Sequence, residues 1–204
     1  MVSSEAFSAQ IFSCFFLFPD SFLFEQFTRF LPHGWDCPMT SSDNTHIRDF
    51  TEADIGCLAR LIHDTIDTSY QLIYPQQAIN FFKGFHTVEK IRTRAEKGNT
   101  IVIERNGEVI GTGSVIDGEI LGVFIKPAFQ KQGYGKVLMQ ELERIATTKN
   151  CPKVTLSVSL PSRKFYERLG YSNFKECAIE VKNGKLLDYW KASKSLRETH
   201  GFQK

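Results

Sequence analysis

From residue 46 onward the apolar positions of the chain alternate between helical and strand periods. His46–Phe50 reads as a first strand. Thr51-Glu52-Ala53-Asp54 then reads as a helix start, with Thr51 as N-cap and acids in the first turn. Ile55, Leu58, Leu61, Ile62 and Ile66 recur at helical spacing, which predicts one buried face on this helix. Tyr70–Pro75 breaks the pattern, and a second helical region runs from about Gln76 to Lys97, interrupted near Gly84. Three Asx-Gly pairs follow, Asn106-Gly107, Asp117-Gly118 and Asn183-Gly184. Such pairs favour the type I′ turn, whose twist matches antiparallel strands. They predict a meander of Thr100–Arg105, Val109–Ile116 and Glu119–Lys126, and a later pair, Ser172–Val181 with Lys185–Ala192. Between these lie a helix over Gly135–Lys149, a β-rich run Lys153–Ser159 and a short helix Pro161–Leu169. Pro161 opens that short helix and Gly170 closes it. The chain has no internal repeats and no low-complexity tracts, and its class is mixed α/β.

Composition narrows the function classes. The 204 residues suffice for one domain with a real core plus an appendage, and a net charge of +2 carries no nucleic-acid footprint. The charge is unevenly spread, however. Residues 1–44 hold Glu5, Asp20, Glu25, Asp36 and Asp43 against Arg29, a net of −4, which leaves +6 on the remainder. That bias suits a domain binding a polyanion. Cys14, Cys37, Cys57, Cys151 and Cys177 are odd in number and lack Cys-x-x-Cys spacing, so neither a disulfide framework nor a zinc site is indicated. A reduced, cytoplasmic protein is the default expectation. His33, His46, His63, His86 and His200 form no His-x-x-x-His pair and read as surface or boundary residues, and no metal is expected.

The N-terminal segment stands apart, with nine phenylalanines within residues 7–30. A signal peptide is not expected there, because no early Lys or Arg is present, Glu5 is acidic, and Pro19-Asp20 stops the apolar run Ile11–Phe18. The run is also too short to span a bilayer. It reads either as an extension packed on the domain or as a segment the functional protein lacks, with Met39 as an alternative start.

The most informative stretch is Gln130-Lys131-Gln132-Gly133-Tyr134-Gly135, placed between a strand and a helix. A glycine-containing turn opening a helix leaves backbone N–H groups unpaired, and these with the positive end of the helix dipole favour phosphate. Lys131 and Lys136 flank the turn. A dinucleotide fingerprint is not supported elsewhere: Gly111-Thr112-Gly113 is followed by Ile116 where a third glycine is needed, and it lies inside a strand.

This Gln-x-x-Gly-x-Gly run after Val-Phe-Ile-Lys-Pro resembles the acetyl-CoA pyrophosphate loop of the GNAT superfamily of N-acetyltransferases. Phe165-Tyr166-Glu167-Arg168-Leu169-Gly170-Tyr171 resembles the other signature helix of that superfamily, at typical spacing. The resemblance covers about residues 45–195. It implies a GNAT fold: a mostly antiparallel sheet of six to seven strands, splayed at the cofactor site and flanked by about four helices. Residues 1–44 are then a Phe-rich extension and 196–204 a tail.

The resemblance also assigns roles. Lys131, Gln132, Gly133, Tyr134, Gly135 and Lys136 would hold the cofactor pyrophosphate, and the backbone of Val123, Phe124 and Ile125 would pair with the pantetheine arm. Pro127 then ends that strand. Tyr166 would protonate the departing thiolate, with a packing tyrosine as the alternative. Glu119 matches the general base of histone-type members, and the alternative is an exposed carboxylate at a hairpin end. Ser159 stands where relatives carry a cofactor-contacting asparagine, keeping a hydrogen-bonding group but losing reach. Arg163 and Lys164 read as a solvated basic face in preference to a contact with the CoA 3′-phosphate. The joint Asp67–Tyr74 would overhang the acceptor. It is apolar and aromatic and lacks the acidic cluster expected for a polyamine or aminoglycoside.

The expected function is transfer of acetyl from acetyl-CoA, a co-substrate, to a primary amine of a small molecule or peptide by direct attack. The alternative is a CoA-binding regulatory domain without catalysis. No nucleic-acid or membrane partner is expected, and a homodimer stays open.

Overall fold

The computed structural model describes residues 44–181 and 185–196. The Phe-rich segment, the Asn183-Gly184 turn and the C-terminal tail from 197 lie outside the described residues. The strands are β1 (Thr45–Asp49), β2 (Asn99–Arg105), β3 (Glu108–Ile116), β4 (Glu119–Ile125), β5 (Lys153–Ser159), β6 (Ser172–Val181) and β7 (Lys185–Ser195). They form one seven-stranded sheet in the order β1-β2-β3-β4-β5-β7-β6. Every neighbouring pair is antiparallel except β4 with β5, which run parallel. The two described Asx-Gly turns have the geometry expected of them. Asn106 and Gly107 have φ of 51° and 81°, and Asp117 and Gly118 have 48° and 79°. Both central residues are thus left-handed, as the type I′ turn requires.

The helices are α1 (Ile55–Tyr70), α2 (Gln76–Gly84), α3 (Val88–Lys97), α4 (Tyr134–Thr148) and α5 (Arg163–Arg168). Among the described residues there are thus five, because the region broken at Gly84 is two separate helices, with Thr87 capping the second. Thr51 caps as expected, but through a single 3₁₀ turn, Glu52–Asp54, set before α1. The Asp54 carboxylate accepts from the Thr51 backbone N–H at 2.8 Å, closing a capping box.

Apolar side chains alternate to the two faces of the sheet, and each face is covered. On one, Leu138, Met139, Leu142, Ile145 and Ala146 of α4, with Phe165 and Tyr166 of α5, pack on Ile103, Val123, Ile125 and Val158. On the other, Leu58, Ile62 and Ile66 of α1, Ile79 and Phe82 of α2 and Ile91 of α3 pack on Val102, Phe124, Leu187 and Tyr189. Burial of two such stripes on a two-faced sheet is what fixes the layered α/β architecture.

Candidate functional site

β4 pairs with β5 over two residues only, Glu119 with Thr155 and Ile120 with Leu156. Beyond Ile120 the two strands part. The cause lies on the other edge of β4. Phe124 pairs with Thr112 and Leu121 with Ser114, so two residues, Gly122 and Val123, stand opposite the single Gly113. This bulge, with Gly122 at φ 59°, bends the strand away from β5. The side chains of Val123, Phe124 and Ile125 are buried on the two faces, at 0%, 2% and 1% exposure, while their backbone edge toward β5 has no strand partner. Core packing by side chains and a vacant edge on the backbone therefore coexist.

At the end of β4 a 3₁₀ turn, Pro127–Phe129, leads into the glycine turn that opens α4. The Gln130 side-chain amide donates to the Ile125 carbonyl at 2.9 Å, and that of Gln132 donates to the Ala128 carbonyl at 2.9 Å. Both glutamines thus shape the loop from within. Lys131 has φ 61° and Gly133, the N-cap, φ 91°. A side chain at Gly133 would meet nothing within 4 Å, so the surface over this turn is open. The N-cap offers no side-chain acceptor, and the first hydrogen bond into the helix runs from the Val137 N–H to the Gly133 carbonyl at 3.2 Å. The amides of Tyr134, Gly135 and Lys136 therefore have no intrahelical acceptor, and the dipole of a 15-residue helix adds to their positive field.

Glu119 is half-buried at the start of β4. Burial raises its pKa above the ordinary carboxylate range, against the opposing charge of Lys191. Burial, with Cys177 and Glu119 close by, in turn raises the hydroxyl pKa of Tyr189 on β7. The hairpin-end carboxylate is thus not fully exposed but sits beside a lysine and a tyrosine. Tyr166 is 0% exposed, its ring 5.1 Å from that of Phe165 and 5.6 Å from that of Tyr171. The Ser159 hydroxyl is buried and hydrogen-bonded to that of Ser162. One of its hydrogen bonds is thus made within the chain, and the hydroxyl is closed to solvent. Arg163 donates to Glu167 at 2.8 Å and lies over the rings of Phe174 and Trp190.

The joint expected over the acceptor borders this opening, together with groups that carry no sequence signal. Tyr70 and Tyr74 of the α1–α2 joint are packed with Phe82, and the Tyr74 hydroxyl accepts the Leu160 N–H at 2.9 Å, while Leu72 is exposed. The joint is thereby tied to the end of β5. A cavity of about 430 Å³ opens nearby, bounded by Leu160, Cys177, Tyr189 and Trp190. His86, expected at the surface or a boundary, is instead 1% exposed, with its ring 4.9 Å from Phe124. A polar residue in a short inter-helix link has no periodicity to betray such burial. His63 donates to the His86 carbonyl at 3.0 Å, and the Arg94 guanidinium lies 3.3 Å from His86 Nδ1. Among the described residues no group of three or more metal-binding side chains occurs, and no helix is long and apolar enough to cross a membrane.

Residues 62–171 match the model of the acetyltransferase (GNAT) family. A glucosamine 6-phosphate N-acetyltransferase of Trypanosoma brucei brucei is 41% identical over 54 residues, which are 26% of this chain. The match spans 37% of that curated relative's length. Among solved structures, the fold superposes on the GCN5-related N-acetyltransferase of Rhodopseudomonas palustris with a TM-score of 0.68, at 19% identity, over 77% of this chain and 98% of that one. The PaiA N-acetyltransferase of Thermoplasma acidophilum, solved with coenzyme A, gives 0.58 at 19% identity over 74% and 99%. The ribosomal-protein-S18-alanine N-acetyltransferase of Escherichia coli gives 0.58 at 13% identity over 79% and 99%.

Proposed function

Because this chain belongs to the acetyltransferase (GNAT) family, we propose that it moves the acetyl group of acetyl-CoA onto a primary amine by direct attack in a ternary complex. The observation that carries this reading is the parting of β4 from β5 after Ile120, aligned with an open glycine turn at the head of α4. The residues present fit the co-substrate. The amides of Tyr134, Gly135 and Lys136 would hold the pyrophosphate, with Lys131, Gln132 and Gly133 forming the turn around it. The free edge of Val123, Phe124 and Ile125 would take the pantetheine amides as an added strand. When bound, acetyl-CoA supplies the acyl group in activated, thioester form.

The rest falls to side chains of this chain. An amine is mostly protonated near pH 7, and Glu119, with its pKa raised by burial, is suited to take that proton. Tyr166 holds the proton that a departing thiolate needs. Ser159, already bonded to Ser162, contributes at most through the backbone. The acceptor is a small molecule or peptide amine approaching from the face that carries Glu119, Tyr189 and the α1–α2 joint. A CoA-binding domain without catalysis is the second reading, and turnover of any amine with release of free CoA would dismiss it.

Gly133→Asp tests the central claim. It sets a carboxylate where a phosphate is to approach, on a backbone that is left-handed. Acetyl-CoA affinity measured by calorimetry should fall by at least about ten-fold, roughly 1.4 kcal/mol. Unchanged affinity in a folded variant removes the assignment of this turn.

A further inference from the structure

Arg94 projects from α3 onto the bulge of β4. A Cβ built on Gly122 would lie 2.3 Å from Arg94 Nη1 and 2.9 Å from Cζ, so the guanidinium rests on the glycine itself. It has no carboxylate partner among the described residues. Its side-chain contacts are the His86 Nδ1, 3.4 Å from Nη1 and 3.3 Å from Nη2. The residue keeps some exposed surface, yet desolvation, with no opposing charge, pulls its pKa down to about 10. A guanidinium carries five N–H donors and no acceptor, and leaving such a cation unanswered inside a protein is costly. His86, neutral because burial and Arg94 hold its pKa well below 6.5, accepts from Arg94 at Nδ1. The proton is then on Nε2, which is buried and has no hydrogen-bond partner.

A buried donor without an acceptor, His86 Nε2, and a cation without a carboxylate, Arg94, therefore lie side by side at the bulge where β4 leaves β5. The cofactor phosphates do not answer them, because the glycine turn leads into α4 on the opposite face of the sheet from α3. Glu119 stands three positions before Gly122 on the same strand, about 10 Å away at strand rise. A group holding both an amine and an anion spans that gap without a large molecule.

We propose that Arg94, with His86 beside it, forms the recognition site for an anionic group, a carboxylate or a phosphate, carried by the acceptor amine. This specificity site rests on the acetyl-transfer reading above. It places the acceptor among acidic amines, in keeping with the absence of an acidic cluster at the α1–α2 joint.

The experiment compares acetylation within two matched pairs, an amino acid with its amide and an amino sugar with its 6-phosphate. The wild-type protein, Arg94→Gln and Arg94→Lys are each assayed. The wild type should favour the anionic member of one pair by about ten-fold or more in kcat/KM, as a charge-assisted contact allows. Which pair responds separates carboxylate from phosphate. Arg94→Gln should bring that ratio close to one with the KM for acetyl-CoA unchanged, and Arg94→Lys should keep part of it. A wild type without preference in either pair, or a preference that survives Arg94→Gln, overturns the proposal. So does a lack of turnover with all four amines. Calorimetry with acetyl-CoA then separates the two ideas: retained binding leaves the acetyl-transfer reading standing, and lost binding removes both.

Discussion

Two arginines on the same face of the sheet, Arg48 at the β1 corner and Arg94 at the β4 bulge, sit in opposite electrostatic surroundings. Arg48 donates from Nη1 and Nη2 to the two oxygens of Asp54, each at 2.8 Å, and from Nε to Glu104 at 2.8 Å. These hydrogen bonds raise its pKa, and Arg48 with Thr51 holds Asp54 down at about 2. Arg94 faces a neutral histidine and a glycine, and desolvation moves its pKa the other way. Both cations keep some exposed surface, but Arg94 is the more desolvated and lacks the counter-charges that Asp54 and Glu104 give Arg48. The β1 corner is a closed network whose members satisfy one another, which is what a structural joint requires. The opening between β4 and β5 gathers groups the fold leaves unanswered or perturbed: Arg94, the His86 Nε2 and Glu119. Substitutions at the corner should therefore cost stability, and those at the opening should cost activity.

The largest effect is expected at the proposed leaving-group acid. Tyr166→Phe removes one hydroxyl, and if that hydroxyl serves the leaving group, kcat should fall on the order of 10²-fold while acetyl-CoA affinity holds. The split between kcat and affinity is the decisive readout, because Tyr166 is fully buried, its α5 side chain packed into the same core as α4. A kcat near that of the wild type would make it a packing residue and draw the opening more narrowly, around β4 alone.

At the corner, Asp54→Asn should cost about 2 kcal/mol of stability at pH 7 by urea unfolding, with kcat unmoved. The sign follows from the carboxylate being held at about 2 in the folded chain against an ordinary 3.8. Its contribution is fully present above about pH 4 and is lost as pH falls toward 2. The gap between wild type and variant should therefore close on acidification. A gap that persists at pH 2, or a loss of activity at pH 7, would break the division between the two regions.

The same contrast governs how much the sequence discloses. The glycine turn is recognised through backbone amides of consecutive residues, so Gln130–Gly135 carries its whole chemistry in one short string. The Asx-Gly turns are similarly local, and the meander they frame is found within a residue or two of its expected limits. The opening is assembled from α3, β4 and β7, and no spacing rule links Arg94 to Gly122 or Glu119 to Lys191. Gly122 in an otherwise apolar strand was the available sign of a bulge, since an isolated strand glycine marks a kink or a close approach. Where β4 and β5 part was legible only through the family resemblance, which put the splay at Val123–Ile125, and not in the residues themselves, because it depends on the register of a neighbouring strand. The burial of His86 was hidden for a related reason, being imposed by Phe124 from a different segment.

Glu119 gives the smallest and most discriminating test. Two opposed effects bear on it: desolvation by burial, which disfavours the carboxylate and wins, and the charge of Lys191, which favours it, so its pKa lies above the ordinary carboxylate range. Tyr189, its other titrating neighbour, is itself pushed up by burial, by Cys177 and by Glu119, and so stays protonated through the neutral range. If Glu119 takes the amine proton, wild-type kcat/KM should rise with pH through this displaced carboxylate and then level off. Glu119→Gln keeps the shape and the hydrogen bonding but cannot accept a proton. Activity at neutral pH should fall by about ten-fold, the remainder coming from water as a poorer base, and should recover at high pH where free amine is abundant. A Gln variant that keeps the wild-type profile would show that another group sets the acid limb. Glu119 would then move, in this comparison, from the unanswered groups of the opening to those whose charge Lys191 already satisfies.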